Sequence, residues 1–360
     1  MTARPPSADA QRADAQRADA QRAHALRSHV SRYERPDTWQ ACWAFATSLP
    51  PLLGLWWLMY RSLSVSYAIT LALAFPAAGF VVRTFIVQHD CGHGSFLASR
   101  RWRTILGRLC APFTLLPYGY FRHFHGTHHA TSGNLDKRHV DIETLTVGEY
   151  LALSPAAQRR YRVVRHPVVL FGLAPLLYFV VMMRLPVFAR PEWQRERRSM
   201  LLTNVSIALL VWLLVTLVGW RDFLLVQAPI TIIASTVGMW MFYVQHQFED
   251  TYWAPEGEWE FTRAALEGSS YYALPDVLAW FTGYIGYHHI HHLSPRVPSY
   301  RLVACHRETA LLAGVRHITW RSGFSCARLT LWDERTRRLV SFADVCRMSY
   351  PVAAPPNLTA

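Results

Sequence analysis

Four stretches of the chain are almost continuously apolar: residues 41–60, 67–87, 201–220 and 223–244. A helix needs roughly 20 apolar residues to cross about 30 Å of hydrocarbon. Core helices of soluble domains rarely reach that length without a charge, so each block predicts a membrane span. Only residues 61–66 part the first two blocks, and Arg221-Asp222 lies between the last two. The pattern therefore predicts two helical hairpins.

Two shorter apolar stretches fit the pattern less well. Residues 105–116 are too few to span and include Arg108. Residues 167–185 are marginal in length and are bounded or interrupted by Pro167, Pro175 and Pro186. Counting 167–185 as a span would put the polar segments before and after it on opposite sides of the membrane. It would also leave Arg190, Arg195, Arg197 and Arg198 outside, against the positive-inside tendency. Both stretches therefore read as re-entrant or interfacial helices. With four spans, the loops 88–200 and 245–360 share one face with both termini. These loops carry most of the arginine, which marks that face as cytoplasmic. The expected fold is an all-α, multi-pass integral membrane protein, placed in a bacterial inner membrane, with four spans, interfacial helices and a cytoplasmic cap.

Composition adds a few constraints. The chain has 360 residues, 51% hydrophobic and 17% charged, with a formal net charge of +13. Lys137 is the single lysine, so the basic side chains are almost all arginine, a bias that a GC-rich genome explains. A basic face also suits anionic headgroups or an acidic redox partner. Between Arg296 and Arg347 stand ten arginines and four acidic residues, so the C-terminal part of the cap is locally basic. Six scattered cysteines form no CxxC pair, which argues against a zinc ribbon or a thioredoxin-like site. The first forty residues lack the apolar core of a signal peptide. An Ala-Asp-Ala-Gln-Arg repeat between Ala8 and Arg22 has a period of five, matching neither a heptad nor a helix face. Residues 1–32 thus read as a low-complexity tail, helical or disordered, not needed for chemistry. A single domain covers 33–347, and 348–360 form a second tail.

The chemistry resides in histidine. His89 and His93 form an HxxxH, His125, His128 and His129 an HxxHH, and His288, His291 and His292 another HxxHH. On a helix, residues three and four apart are neighbours. The adjacent histidine of each HH pair lies about 100° around the helix and so can serve a second metal. Eight imidazoles exceed what one ordinary site needs and suggest two metals. Imidazole suits iron, copper, zinc and nickel alike. A membrane enzyme that acts on unactivated methylenes needs oxygen chemistry, which favours iron. His123 and His289 read as neighbours of the clusters rather than ligands. No glutamate is followed by histidine at the third position, so the Glu-x-x-His signature of carboxylate-bridged di-iron bundles is missing. With neither a GxGxxG nor a P-loop in suitable context, no nucleotide site and no nucleic-acid partner are expected.

These segments resemble the membrane fatty acid desaturase family, in its acyl-lipid Δ12 or omega-6-like branch. The matching pieces are His89-Asp-Cys-Gly-His-Gly-Ser95, His125-Gly-Thr-His-His129 and Gly286-Tyr-His-His-Ile-His-His-Leu293, followed by Pro295 and Pro298. The likeness extends over about 33–302, span order included. It implies two iron ions, O2 as co-substrate and an external electron donor. It also implies successive removal of two vicinal hydrogens from an acyl chain carried on a membrane lipid or a thioester, leaving a cis double bond. A further ligand is implied just after the fourth span, where His246 stands. Some relatives carry a fused cytochrome b5 with His-Pro-Gly-Gly. That motif is missing here, so electrons are expected from a separate protein such as an acidic ferredoxin. Imidazole ligands need acceptors for their second nitrogen. Asp90, Asp141, Asp250 and Asp276 are the candidates, with Asp136 and Glu249 also close in sequence. The aromatics of 253–280 and Tyr118-Gly-Tyr-Phe121 suit either an acyl tunnel or an interfacial belt. Hydroxylases and carotenoid ketolases share the three-box pattern, and a metal transporter is the rival of another class, although transporters place ligands near mid-bilayer.

Overall fold

A computed structural model describes residues 8–138 and 142–348. Four of its helices are long and apolar enough to cross a membrane: Thr38–Ser62, Tyr67–His93, Gln194–Val218 and Trp220–His246. The first is interrupted. Asp37 caps its opening segment by accepting from the Gln40 backbone N–H. The helix restarts at Leu49, where Pro50 and Pro51 occupy the first turn, in which a missing N–H costs nothing. The second and fourth spans run past the ends of their apolar blocks. Their last turns are polar, and they end on His93 and His246.

Small residues let the spans approach closely. Ala74, Ala77 and Ala78 of the second span pack against Leu52, Trp56 and Met59 of the first and Val226 and Ile230 of the fourth. The third span is the most lipid-facing, with Leu202, Leu209, Trp212 and Leu217 exposed. Arg100–Thr114 is an amphipathic helix packed on the second span. It buries Gly107, Cys110 and Ala111 and exposes Trp102, Ile105 and Leu109, as an interfacial helix should.

Residues 167–185 do not form a regular helix. Val169–Leu173 and Leu177–Val181 are π-helical on either side of Pro175, whose missing N–H forces the ladder to re-register. The segment is bent by 56° from the helix Pro155–Val164. Parity puts its two ends on the same side of the bundle, because the second and fourth spans both end at the histidine groups and the third span crosses between them. At one end, Arg165 donates to Glu143 O in the cap and to the Tyr243 hydroxyl, three residues from His246. At the other, Arg184 O accepts from Asn204, in the first half of the third span. Between them, Phe171 O accepts from Thr236, deep in the fourth span. The chain dips in and returns.

Two details add to this fold. The cap is not purely helical. Tyr271–Ala273 pairs in parallel with His317–Thr319, and Leu331–Asp333 pairs antiparallel with Arg338–Val340. Strands of three residues leave no periodicity to read. Nor does the N-terminal segment wholly stand apart. It forms the helix Ala8–Ser31, whose last turns bury Leu26 and Val30 in the main core, and His29 Nε2 donates to Cys305 O at 2.8 Å.

Gly286 shows how tightly the cap is built beneath the third histidine cluster. A Cβ there would lie 2.3 Å from Tyr272 O, while Gly286 O accepts from the Tyr272 N–H. Gly286→Ala should destabilise the protein by about 1–3 kcal/mol, the usual cost of overpacking. Gly54→Ala, where nothing lies within 4 Å, should not destabilise it. Thermal unfolding in detergent checks both; equal midpoints would refute the packing argument.

Candidate metal centre

Four helix ends build the site. The last turn of the second span presents His89 and His93 from one face. Tyr118–Thr131 presents His125, His128 and His129. The short helix His288–Leu293 presents His288, His291 and His292. His246 closes the fourth span. All nine side chains meet in two groups. His89, His93, His125, His129 and His291 offer nitrogens within 4.8 Å of one another, and so do His128, His246, His288 and His292. The HH pairs divide between the groups. His128 and His129 go to different groups, as do His291 and His292, as their angular offset on a helix requires. His129 stacks on His292 across the boundary, ring centroids 4.3 Å apart.

The spacing suits shared metals. His125 Nε2 lies 3.0 Å from His89 Nε2 and 3.1 Å from His129 Nε2. His246 Nε2 lies 3.2 Å from His128 Nε2 and 2.9 Å from His288 Nε2. Two nitrogens each about 2.1 Å from one metal stand about 3 Å apart at right-angle coordination. His93 Nε2, His291 Nε2 and His292 Nε2 are buried with no hydrogen-bond partner among the described residues, a costly state that a metal would relieve. Burial, reinforced by neighbouring imidazoles, pushes His125, His129, His288, His291 and His292 well below the usual histidine range. These rings are therefore neutral, which is the ligating form.

Two acceptors fix ring orientation. His89 Nδ1 donates to buried Asp90 Oδ1 at 3.0 Å, and Asp90 Oδ2 accepts from the Ser299 N–H at 2.7 Å. The carboxylate thereby ties the second span to the cap. His246 Nδ1 donates to Gly268 O at 3.1 Å. No sequence signal points to Gly268, because the acceptor is a backbone carbonyl brought from the next segment. A Cβ at Gly268 would meet Ala264 O at 2.5 Å.

The other candidate acceptors behave differently. Asp250 turns outward to Arg316 at 3.3 Å, both half exposed, and Asp276 is exposed at a helix start. Neither has a histidine partner among the described residues. Phe248 is buried as the chain leaves the fourth span, and the two acids after it emerge into water. Glu249 pairs with Arg338, and Asp136 accepts from the Glu256 N–H. Asp141 lies outside the described residues. His123 packs on Trp193 and His289 meets His306, so both stand outside the two groups.

A cavity of about 1210 Å³ ends on His89, His125, His128 and His288. Its walls come from the second, third and fourth spans and from the dipping segment 169–184. Tyr120 and Phe121 line it, whereas Trp253 packs on Trp332 inside the cap. The site thus pairs a desolvated polyimidazole cluster with a long apolar chamber open to lipid-like substrates.

The sequence bears out this picture. Residues 64–323 match the family profile described as fatty acid desaturase. The chain is 43% identical to a Bacillus subtilis fatty acid desaturase, covering 91% of this chain and 92% of that one. It is 29% identical to a Synechocystis protein described as sn-1 acyl-lipid omega-3 desaturase (ferredoxin), covering 61% of each. It is 25% identical to a chloroplastic omega-6 fatty acid desaturase of Brassica napus, covering 67% of this chain and 54% of that one. With the spans, the histidine groups and the acyl-sized cavity all in place, the chain belongs to the fatty acid desaturase family.

Proposed function

We propose that the two histidine groups each hold an iron ion and that the enzyme uses O2 to insert a cis double bond into an acyl chain lying in the apolar cavity. The observation that carries this is where the cavity ends: an apolar chamber of about 1210 Å³ meets the histidine cluster at His89, His125, His128 and His288. His89, His93, His125, His129 and His291 hold one metal, and His128, His246, His288 and His292 the other. When bound, iron with O2 supplies the oxidising power to take hydrogen from an unactivated methylene, which no side-chain acid or base can do. The chain's own residues do the rest. The cavity walls hold the acyl chain extended and exclude water from the reacting carbons. Asp90 and Gly268 O keep His89 and His246 in the tautomer that presents Nε2 to the metal. The substrate is a membrane lipid's acyl chain, entering from the bilayer. The electron donor is a separate acidic protein of the ferredoxin class. The centre faces the cytoplasm across a bacterial inner membrane, because the arginine-rich loops share its side.

Expression in a host rich in oleoyl chains should yield a new dienoic acid by gas chromatography-mass spectrometry, and His128→Ala or His291→Ala should abolish it. A hydroxy acid in its place, or either variant keeping full activity, would sink the assignment. Asp90→Asn should weaken iron binding about 10–100-fold, the usual effect of losing an outer acceptor, read by metal analysis after dialysis against graded chelator. Gly238, about 12 Å along the fourth span from His246 at 1.5 Å per residue, lines the cavity. Gly238→Phe should shift product toward shorter acyl chains; an unchanged chain-length profile would mean the acyl chain lies elsewhere.

A further inference from the structure

A second set of rings leads away from the centre toward water. His289 follows the metal-facing His288 in the same helix and is fully buried, yet it belongs to neither histidine group. Its Nε2 lies 3.3 Å from His306 Nδ1. The His306 ring packs on Tyr287 and Tyr271, with centroids 4.9 and 5.2 Å away. The two tyrosines stack at 4.3 Å with their hydroxyls 3.1 Å apart. Tyr271 also stacks on exposed His317, at 5.0 Å and an interplanar angle of 22°. Five aromatic side chains thus run in contact from solvent to the residue beside His288. The sheet that pairs Tyr271 with His317 holds the outer end in register.

The outer end carries charges of both signs, with Asp276 near Tyr271, Asp250 beside Arg316 and Glu308 after Arg307. Arg307 and Arg316 are exposed there, next to His306 and His317 in sequence. Arg316 meets Asp250 in a half-exposed pair of little energetic weight. Arg307 has no acidic partner among the described residues. None of the five rings lines the acyl cavity. The cap side of the centre therefore offers a continuous run of aromatic contacts and two exposed arginines at its outer end, separate from the acyl cavity.

We propose that this is the electron entry: an acidic one-electron carrier protein docks over His317, Arg307 and Arg316, and electrons pass through Tyr271, His306 and His289 to the metal held by His288. The proposal rests on the desaturase reading of the site. The balance requires such a carrier. Reducing one O2 to two waters takes four electrons and four protons. The substrate gives two of each as its two C–H bonds break and the double bond forms. The carrier gives the other two electrons singly, and solvent gives the other two protons.

Reduced plant-type [2Fe–2S] ferredoxin serves as the probe. In binding titrations with the metal-free protein at low salt, Arg307→Glu should weaken association about tenfold, within the range of electrostatic steering. Arg159→Glu, exposed on the distant helix Pro155–Val164, should leave it unchanged. In anaerobic stopped-flow with the iron-loaded protein, His306→Leu and Tyr271→Leu should slow reduction by ferredoxin, while Tyr271→Phe, which keeps the ring, should not. Reduction by dithionite with a small mediator should proceed at the wild-type rate in all of them, which separates a broken path from a misfolded protein. Equal weakening by both charge reversals, or wild-type ferredoxin rates in both leucine variants, would overturn the proposal. If dithionite fails to reduce even the wild type, the redox reading of the centre falls, and the electron entry with it.

Discussion

Nine imidazoles from four helices, two of them membrane spans, share one small volume, and everything else in the structure answers to that crowding. Neutral rings packed this closely leave buried nitrogens without hydrogen-bond partners among the described residues, as at His93, His291 and His292. Protonation is opposed by burial and by the neighbouring rings. Each group could hold a cation, which would accept those lone pairs. The need to bring those rings together dictates the topology. The second and fourth spans must end on the same side, so one net crossing joins them and the segment 169–184 must turn back.

The same constraint explains the rigidity of the cap. Helix ends fray unless something holds them. Asp90 clasps Ser299 of the cap while it orients His89, and Gly268 O does the same for His246. Gly286 lets the backbone before His288 lie against Tyr272 with no room for a side chain. A centre of this kind cannot tolerate loose supports, because an imidazole displaced by an ångström no longer shares a metal with its neighbours.

On the proposed readings, the centre separates two traffic streams. The apolar chamber reaches it from within the bilayer, between the spans and the dipping segment. The rings from His317 to His289 reach it from the arginine-rich aqueous face. In that scheme substrate and electrons approach from different sides of the centre.

By itself, the sequence marked the four candidate spans, their two hairpins and the nine histidines that gather at one place, eight by their boxes and His246 by its position just past an apolar block. Those features are written in local periodicity: long apolar runs for the bilayer, and spacings of three and four that put imidazoles on one helix face. It also told Pro167–Leu185 apart from a true span, because prolines and arginine distribution are local signals too. Only the tertiary structure decided how the histidines divide between two groups, which acceptors hold them, and where the chamber runs. Sequence proximity pointed to Asp250 and Asp276, but the chain turns both toward solvent. The actual holders are a carboxylate tied to a serine amide 209 residues away and a backbone carbonyl, contacts that depend on packing between distant segments and leave no local trace. His289 shows the division most clearly: its place beside His288 is legible in the sequence, but that its ring leaves the centre for His306 follows only from how the cap folds over the spans.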